Sequence, residues 1–146
     1  MTAAVEHARH SGAVKVVDPL SLEQLQKFGG AKLVEQMIDL FVSTAPPRLD
    51  TAYAAACSGD CAGVRAALHS LKSSAGQLGA FRLQELCQDG ETLAERKSSG
   101  SLLAIVSAAR EELVAATRLL CLVRPGPRAF HPATEDRAED EAAPTR

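Results

Sequence analysis

The stretch "AALHSLKSSAGQLGA", residues 66–80, decides how this chain folds. It is rich in Ala and Leu, both strong helix formers, and it carries one ionisable ring, His69, with Lys72 three residues on. With His69 set at zero and about 100° added per residue, Ala67, Leu78, Leu71, Val64 and Ala75 fall between roughly 160° and 240°. That is a single apolar stripe, and His69 lies opposite its centre. Arg65, Lys72, Ser73, Gly76 and Ala62 share the histidine's side. A lone histidine in a helix is most often a satisfied core residue; here the ring is predicted to face solvent.

The rest of the chain is read outward from this helix. "SGD" at 58–60 is a turn with Asp60 as N-cap, so the helix spans about 61–78 and Gly79 stops it. Downstream, Leu83, Leu86, Cys87, Leu93 and Ala94 mark a helix over 81–97, "SSG" at 98–100 ends it, and Leu102, Ile105, Val106, Ala109, Leu113, Ala116 and Leu120 mark another over 101–122. Upstream, "DPLSLEQL" opens a short helix at residue 18, with Ser21 and Gln24 in a capping-box pattern, and Gly29-Gly30 ends it. From Ala31 the stripe Leu33, Val34, Met37, Ile38, Phe41 and Val42 begins, and Leu49, Ala52, Tyr53 and Ala56 continue it beyond Pro46-Pro47, which predicts one long element kinked at the prolines.

Short loops between amphipathic helices favour antiparallel neighbours. The expected fold is all-α: an up-and-down four-helix bundle with the short N-terminal helix as a lid. Residues 1–17 read as a flexible arm and 18–122 as the bundle. Residues 123–146, including "RPGPRAFHPATEDRAEDEAAPTR", are charged and Pro-rich without a stripe, and are expected to be disordered. Removing residues 124 onward should then leave the melting midpoint nearly unchanged.

Composition narrows the class further. The chain has 146 residues, enough for one core, and 46% of them are hydrophobic while only 3% are aromatic. Its formal charge is −2 with scattered basic residues, so no nucleic-acid footprint is expected. No apolar run reaches the length of a membrane span or a signal peptide, which predicts a cytoplasmic protein without a membrane association. The four cysteines, 57, 61, 87 and 121, lack paired metal-ligand spacing and read as reduced, buried, small hydrophobes. No metal or cofactor is expected.

An exposed neutral imidazole is a nucleophile. The ammonium of Lys72 at i+3 would stabilise negative charge arriving on that ring, such as a phosphoryl group. Ser73 and Gly76 keep the helix surface low beside it, although Gly inside a helix costs about 1 kcal/mol relative to Ala. If the chain reverses at Gly79-Ala80, the residue level with His69 on the next helix is Gly90 or Glu91. Gly90 would again keep the surface low, whereas Glu91 could accept a hydrogen bond from the ring and fix its tautomer. Glu91 reads equally well as an ordinary solvated helix residue.

"HSLKSSAGQLGA" resembles the signature of histidine-containing phosphotransfer (HPt) domains: His, Leu at +2, Lys at +3, small residues to +7, then Leu-Gly-Ala. "LVEQMIDLFVSTAPPRLDTAYAAACSGD", residues 33–60, is similar to the family's preceding helix, and "LQELCQDGETL", residues 83–93, to the one that follows, so the resemblance covers about 18–122. It implies a four-helix bundle that carries a phosphoryl group on His69 between receiver-domain aspartates, with Lys72 contacting the phosphoryl group and Glu91 orienting the imidazole. Partners would be receiver domains of response regulators or hybrid histidine kinases, docking on a surface that includes Arg65, Ser73 and Gly76, and the protein itself would be a monomer. Two positions depart from the family's pattern: Ser73 stands where Gly is usual, and Leu68 where Ala is frequent.

Two other readings compete. A helical docking module could bind a receiver or kinase without carrying phosphate, but a pure docking surface has no need of the His69–Lys72 pair. A metal or haem bundle would need inward-facing ligands, and His69 faces out. The chain has no Gly-rich phosphate loop or nucleotide-binding strand–helix pattern, so it should act as a phosphoryl carrier and not as a kinase.

Overall fold

The computed structural model describes residues 16–126, and these form four α-helices and no strand. They are α1 (Pro19–Cys57), α2 (Cys61–Gln77), α3 (Phe81–Glu95) and α4 (Ser99–Val123). Each packs on its neighbour in sequence and α4 closes the ring against α1, which is the up-and-down bundle expected from the short turns. Most of the arm and tail, residues 1–15 and 127–146, lies outside the described residues.

The stripes read from the sequence are the faces that meet. Val34, Ile38, Phe41, Leu49 and Ala52 of α1 pack with Val64, Leu71, Ala75 and Leu78, with Leu83 and Cys87, and with Leu102, Val106, Leu113 and Leu120 of α4, all buried. Leu68 joins them at 0% exposure, although it lies at the edge of the predicted α2 stripe. The space for it comes from α3: a side chain at Gly90 would run into Leu68 and into Ile105 of α4. The larger residue beside the histidine is thus absorbed by the missing side chain opposite it.

Three local expectations are revised. The first helix is capped by Asp18, whose carboxylate accepts a hydrogen bond from Leu20 N at 3.1 Å with Pro19 in the first turn, and the Ser21–Gln24 capping box does not form. The short first helix ends at Gly30 (φ +82°, ψ 175°) as expected, but the second break expected at Pro46-Pro47 is not there, since both prolines sit inside the helix without leaving helical dihedrals. Of the cysteines only Cys87 is buried; Cys57 is exposed, and Cys61 and Cys121 are intermediate. The turn at 58–60 forms as predicted, Asp60 accepting from Gly63 N at 3.0 Å.

The segment before Gly30 lies over the α2–α3 turn. Asp18 N donates to Gly79 O at 2.9 Å, Val17 is buried, and Leu22 and Leu25 are half-buried against the core. Gly79 ends α2 with φ +82°, and a Cβ there would meet the Asp18 carbonyl and Ser21. Only glycine satisfies both demands. At the other end, packing continues past Val123: the Arg124 guanidinium, 7% exposed, bonds both carboxylate oxygens of Asp39 at 2.7 and 2.8 Å and lies 3.3 Å from Glu35. The bundle therefore extends at least from Val17 to Arg124.

Candidate functional site

The hairpin of α2 and α3 is wired by a row of facing pairs. Arg65 meets Glu95 at 3.1 Å, His69 meets Glu91 at 3.0 Å, and Lys72 meets Gln88 at 2.9 Å. Gly76 faces Gln84, whose side chain fills the place where a Cβ would be. Each pair is equidistant in sequence from Ala80. Residues at intervals of four, three and four share one face of a helix, so a turn of fixed length lays two such rows against each other.

Within that row the histidine pair is unlike the rest. The His69 side chain is 70% exposed, as the helical angles required, while the Glu91 side chain is only 7% exposed. Nδ1 of the ring lies 3.0 Å from Glu91 Oε1, and Lys72 Nζ lies 2.8 Å from Oε2. The lysine's better-directed bond goes to Gln88, so its contact with Oε2 is an ion pair more than a hydrogen bond. Burial by itself pushes the Glu91 carboxyl up. The ammonium of Lys72 and the His69 ring together outweigh burial and hold it below the usual carboxylate range. An ionised carboxylate only accepts hydrogen bonds, so Nδ1 must carry the proton it shares with Oε1. In the neutral ring the free lone pair is then on Nε2, across the ring from the protein.

The Hpt domain family model matches residues 36–119, more than half of the chain. This chain belongs to the Hpt family. Hpt domains serve histidine phosphotransfer in two-component systems as phosphocarriers without autokinase activity, working with receiver domains and kinases. Among solved structures, histidine-containing phosphotransfer protein B (HptB) from Pseudomonas aeruginosa PAO1 is similar, with a TM-score of 0.71 and 25% identity over 77% of this chain and 96% of that one. No curated protein matches the chain by sequence. Among the described residues no helix is long and apolar enough to cross a membrane.

In this Hpt domain the residues singled out in the sequence fall on one face, with two refinements. Glu91, not Gly90, reaches the histidine; Gly90 points inward against Leu68. Arg65 and Ser73 are exposed as expected, Arg65 with Glu95 as partner, and Gly76 is half-buried beneath Gln84. Gln88 was not anticipated, although the count about Ala80 that found Glu91 also pairs Lys72 with Gln88. Cys87, one turn before Glu91, is the nearest thiol; burial first and the Glu91 charge second push it up to about 12, so it stays protonated and unreactive.

Proposed function

We propose that His69 is the phosphoacceptor of a phosphorelay. What supports this most directly is the His69–Glu91 bond: a buried carboxylate holds Nδ1 and leaves Nε2 directed outward on a mostly exposed ring. The Nε2 lone pair attacks the phosphorus of a receiver's aspartyl phosphate, the P–N bond forming as the P–O bond to the acyl oxygen breaks. The electron pair leaves with the aspartate, and the ring proton stays on Nδ1. The ring then bears positive charge, which the Glu91 carboxylate stabilises, and keeping that proton in place keeps the imidazole a good leaving group for onward transfer to a second aspartate. Lys72, 25% exposed and one turn from His69, supplies positive charge for the arriving phosphoryl oxygens. The protein would act in this way as a cytoplasmic monomer, with receiver domains of response regulators or hybrid kinases as donor and acceptor.

Incubating the full-length protein with receiver domains charged by acetyl phosphate tests the reading. The wild type should take the label and His69→Gln should not, and ATP with magnesium alone should label neither. The product should be labile in acid and persistent in base, as a phosphoramidate is, and mass spectrometry should place it on the peptide holding His69, not those holding His7, His10 or His131. Label retained in His69→Gln would move the phosphoacceptor to another residue, and a wild type that binds the receivers but takes no label would favour the docking-module reading.

A further inference from the structure

The two nitrogens of the His69 ring look to opposite sides of α2. Nδ1 is held by Glu91 of α3. With His69 set at zero around the helix, the α2 residues that face α3 (Arg65, Lys72 and Gly76) all fall between about 300° and 340°, so α3 lies on that side. Nε2 is turned the other way, toward positive angles. There stand Ala62 at about 20°, Ser73 at about 40° and Ala66 at about 60°, all of them exposed. Alanine has no polar side-chain atom, and Ser70, as the next residue in the helix, does not face the ring. The donor that α2 offers within a turn of His69 on this side is the Ser73 hydroxyl. Residues four apart have Cβ atoms about 5–6 Å from each other, and helical side chains lean toward the N-terminus, so Ser73 leans over the turn that carries the histidine.

That hydroxyl is not spent on the helix. Ser43, Thr44, Thr51, Ser74 and Thr92 each donate to a carbonyl three or four residues back in their own helix, the usual recourse of a hydroxyl in such a place. Ser73 makes no such bond and has no hydrogen-bond partner among the described residues. Lys72, by contrast, is engaged on the α3 side, by Gln88 at 2.9 Å and Glu91 at 2.8 Å. A phosphoryl group brings three strong acceptor oxygens. Placed on Nε2, it stands with a cation on one flank and a free hydroxyl on the other.

We propose that Ser73 binds the phosphoryl group of phosphorylated His69, its hydroxyl donating a hydrogen bond to a phosphoryl oxygen on the side of the ring away from α3. This rests on His69 being the phosphoacceptor. The bond exists only once the group has arrived, so it lowers the free energy of the phosphorylated histidine and leaves the resting protein unchanged. Its effect is to draw the equilibrium between a receiver's aspartyl phosphate and the histidine toward this protein.

The partition of label at equilibrium between the full-length protein and receiver domains charged by acetyl phosphate, then freed of it, tests the bond. Ser73→Ala and Ser73→Gly should each move the partition toward the receiver by about three- to tenfold. Ser73→Ala should not lower the melting midpoint, because alanine is the better helix former. Ser73→Thr keeps the hydroxyl and should stay close to wild type, and so should Ser70→Ala, which removes an exposed hydroxyl beside the histidine that does not face the ring. A wild-type partition in Ser73→Ala, with His69→Gln unlabelled, overturns the role of Ser73 and leaves the phosphoacceptor standing. A shift in Ser73→Gly without one in Ser73→Ala would show that the bulk of the side chain acts and not its hydroxyl, and overturns the proposal as well. Equal labelling of His69→Gln and wild type overturns both readings.

Discussion

At the scale of the residue, Glu91 does two jobs with its two oxygens, and only one of them is visible on the surface. Oε1 takes the ring of His69 and Oε2 takes the charge of Lys72. Because its folded-state carboxyl is held below the ordinary value of 4.5, the charged form adds stability that is present above that pH and is lost as pH falls through the lowered value. Glu91→Gln keeps a hydrogen-bond acceptor but no charge. Its stability deficit relative to wild type should be full at neutral pH and shrink below pH 4.5, as urea melts at a series of pH values would show. Lys72→Ala should slow phosphotransfer by roughly tenfold, about 1.4 kcal/mol of barrier, in keeping with a partly exposed charge contact. It should not abolish transfer, because the lysine supplies charge and not the bond.

At the scale of the element, α2 was legible almost entirely, because a stripe of Leu, Val and Ala fixes which way the remaining side chains point. That stripe alone places His69 in solvent, and the count about the turn narrows its partner to two residues. What periodicity could not decide was which of the two turned inward, since a glycine has no side chain to assign to a face. The answer depends on Leu68, which lies between the stripe and the polar side and is drawn into the core because Gly90 leaves room. The pair makes a double-mutant cycle informative. Gly90→Ala gains helix propensity but overpacks against Leu68 and Ile105 and should cost about 1–3 kcal/mol. Leu68→Ala alone should cost about 2–5 kcal/mol. Chemical denaturation should find the double variant more stable than the sum predicts, with a coupling of about 0.5–3 kcal/mol. The N-terminal cap was misread for a different reason. Ser21 and Gln24 match a capping box by spacing, yet Asp18 with Pro19 behind it starts the helix three residues earlier.

At the scale of the whole molecule, the bundle is closed where the pattern of residues shows least sign of order. Residues 124 onward lack a stripe, and pattern reasoning has nothing to say about a single charged residue that finds partners 85 positions away. Arg124 joins the end of α4 to α1 through Asp39 and Glu35, and Glu35 is itself nearly buried and paired with Lys32. The Asp39 carboxyl is held below its ordinary range by the Arg124 guanidinium, whose own value is raised in return by Asp39. Arg124→Met in the full chain should lower the melting midpoint, because Glu35 is left buried beside a second carboxylate, and adding Glu35→Gln should restore part of the loss. Scanning calorimetry at neutral pH would read both. An unchanged midpoint would mean that the ring is closed by the apolar contacts of α1 and α4 alone.

The common centre of the α2–α3 pairs has a consequence for how this protein can change in length. Among the described residues, the helices joined by the turns at 58–60 and 96–98 carry no such row of facing polar pairs; α3 and α4 share the single ion pair Arg82–Glu112. The turn at 78–80 is different, because its length sets which residue of α3 stands opposite each residue of α2. One residue added or removed there slides every pair together, placing His69 against Gly90 or Thr92 and setting Lys72 against Cys87 or Asp89. No single substitution does as much, since each alters one partner while this alters all of them. Of the three turns, this one is the least able to accept an insertion or a deletion.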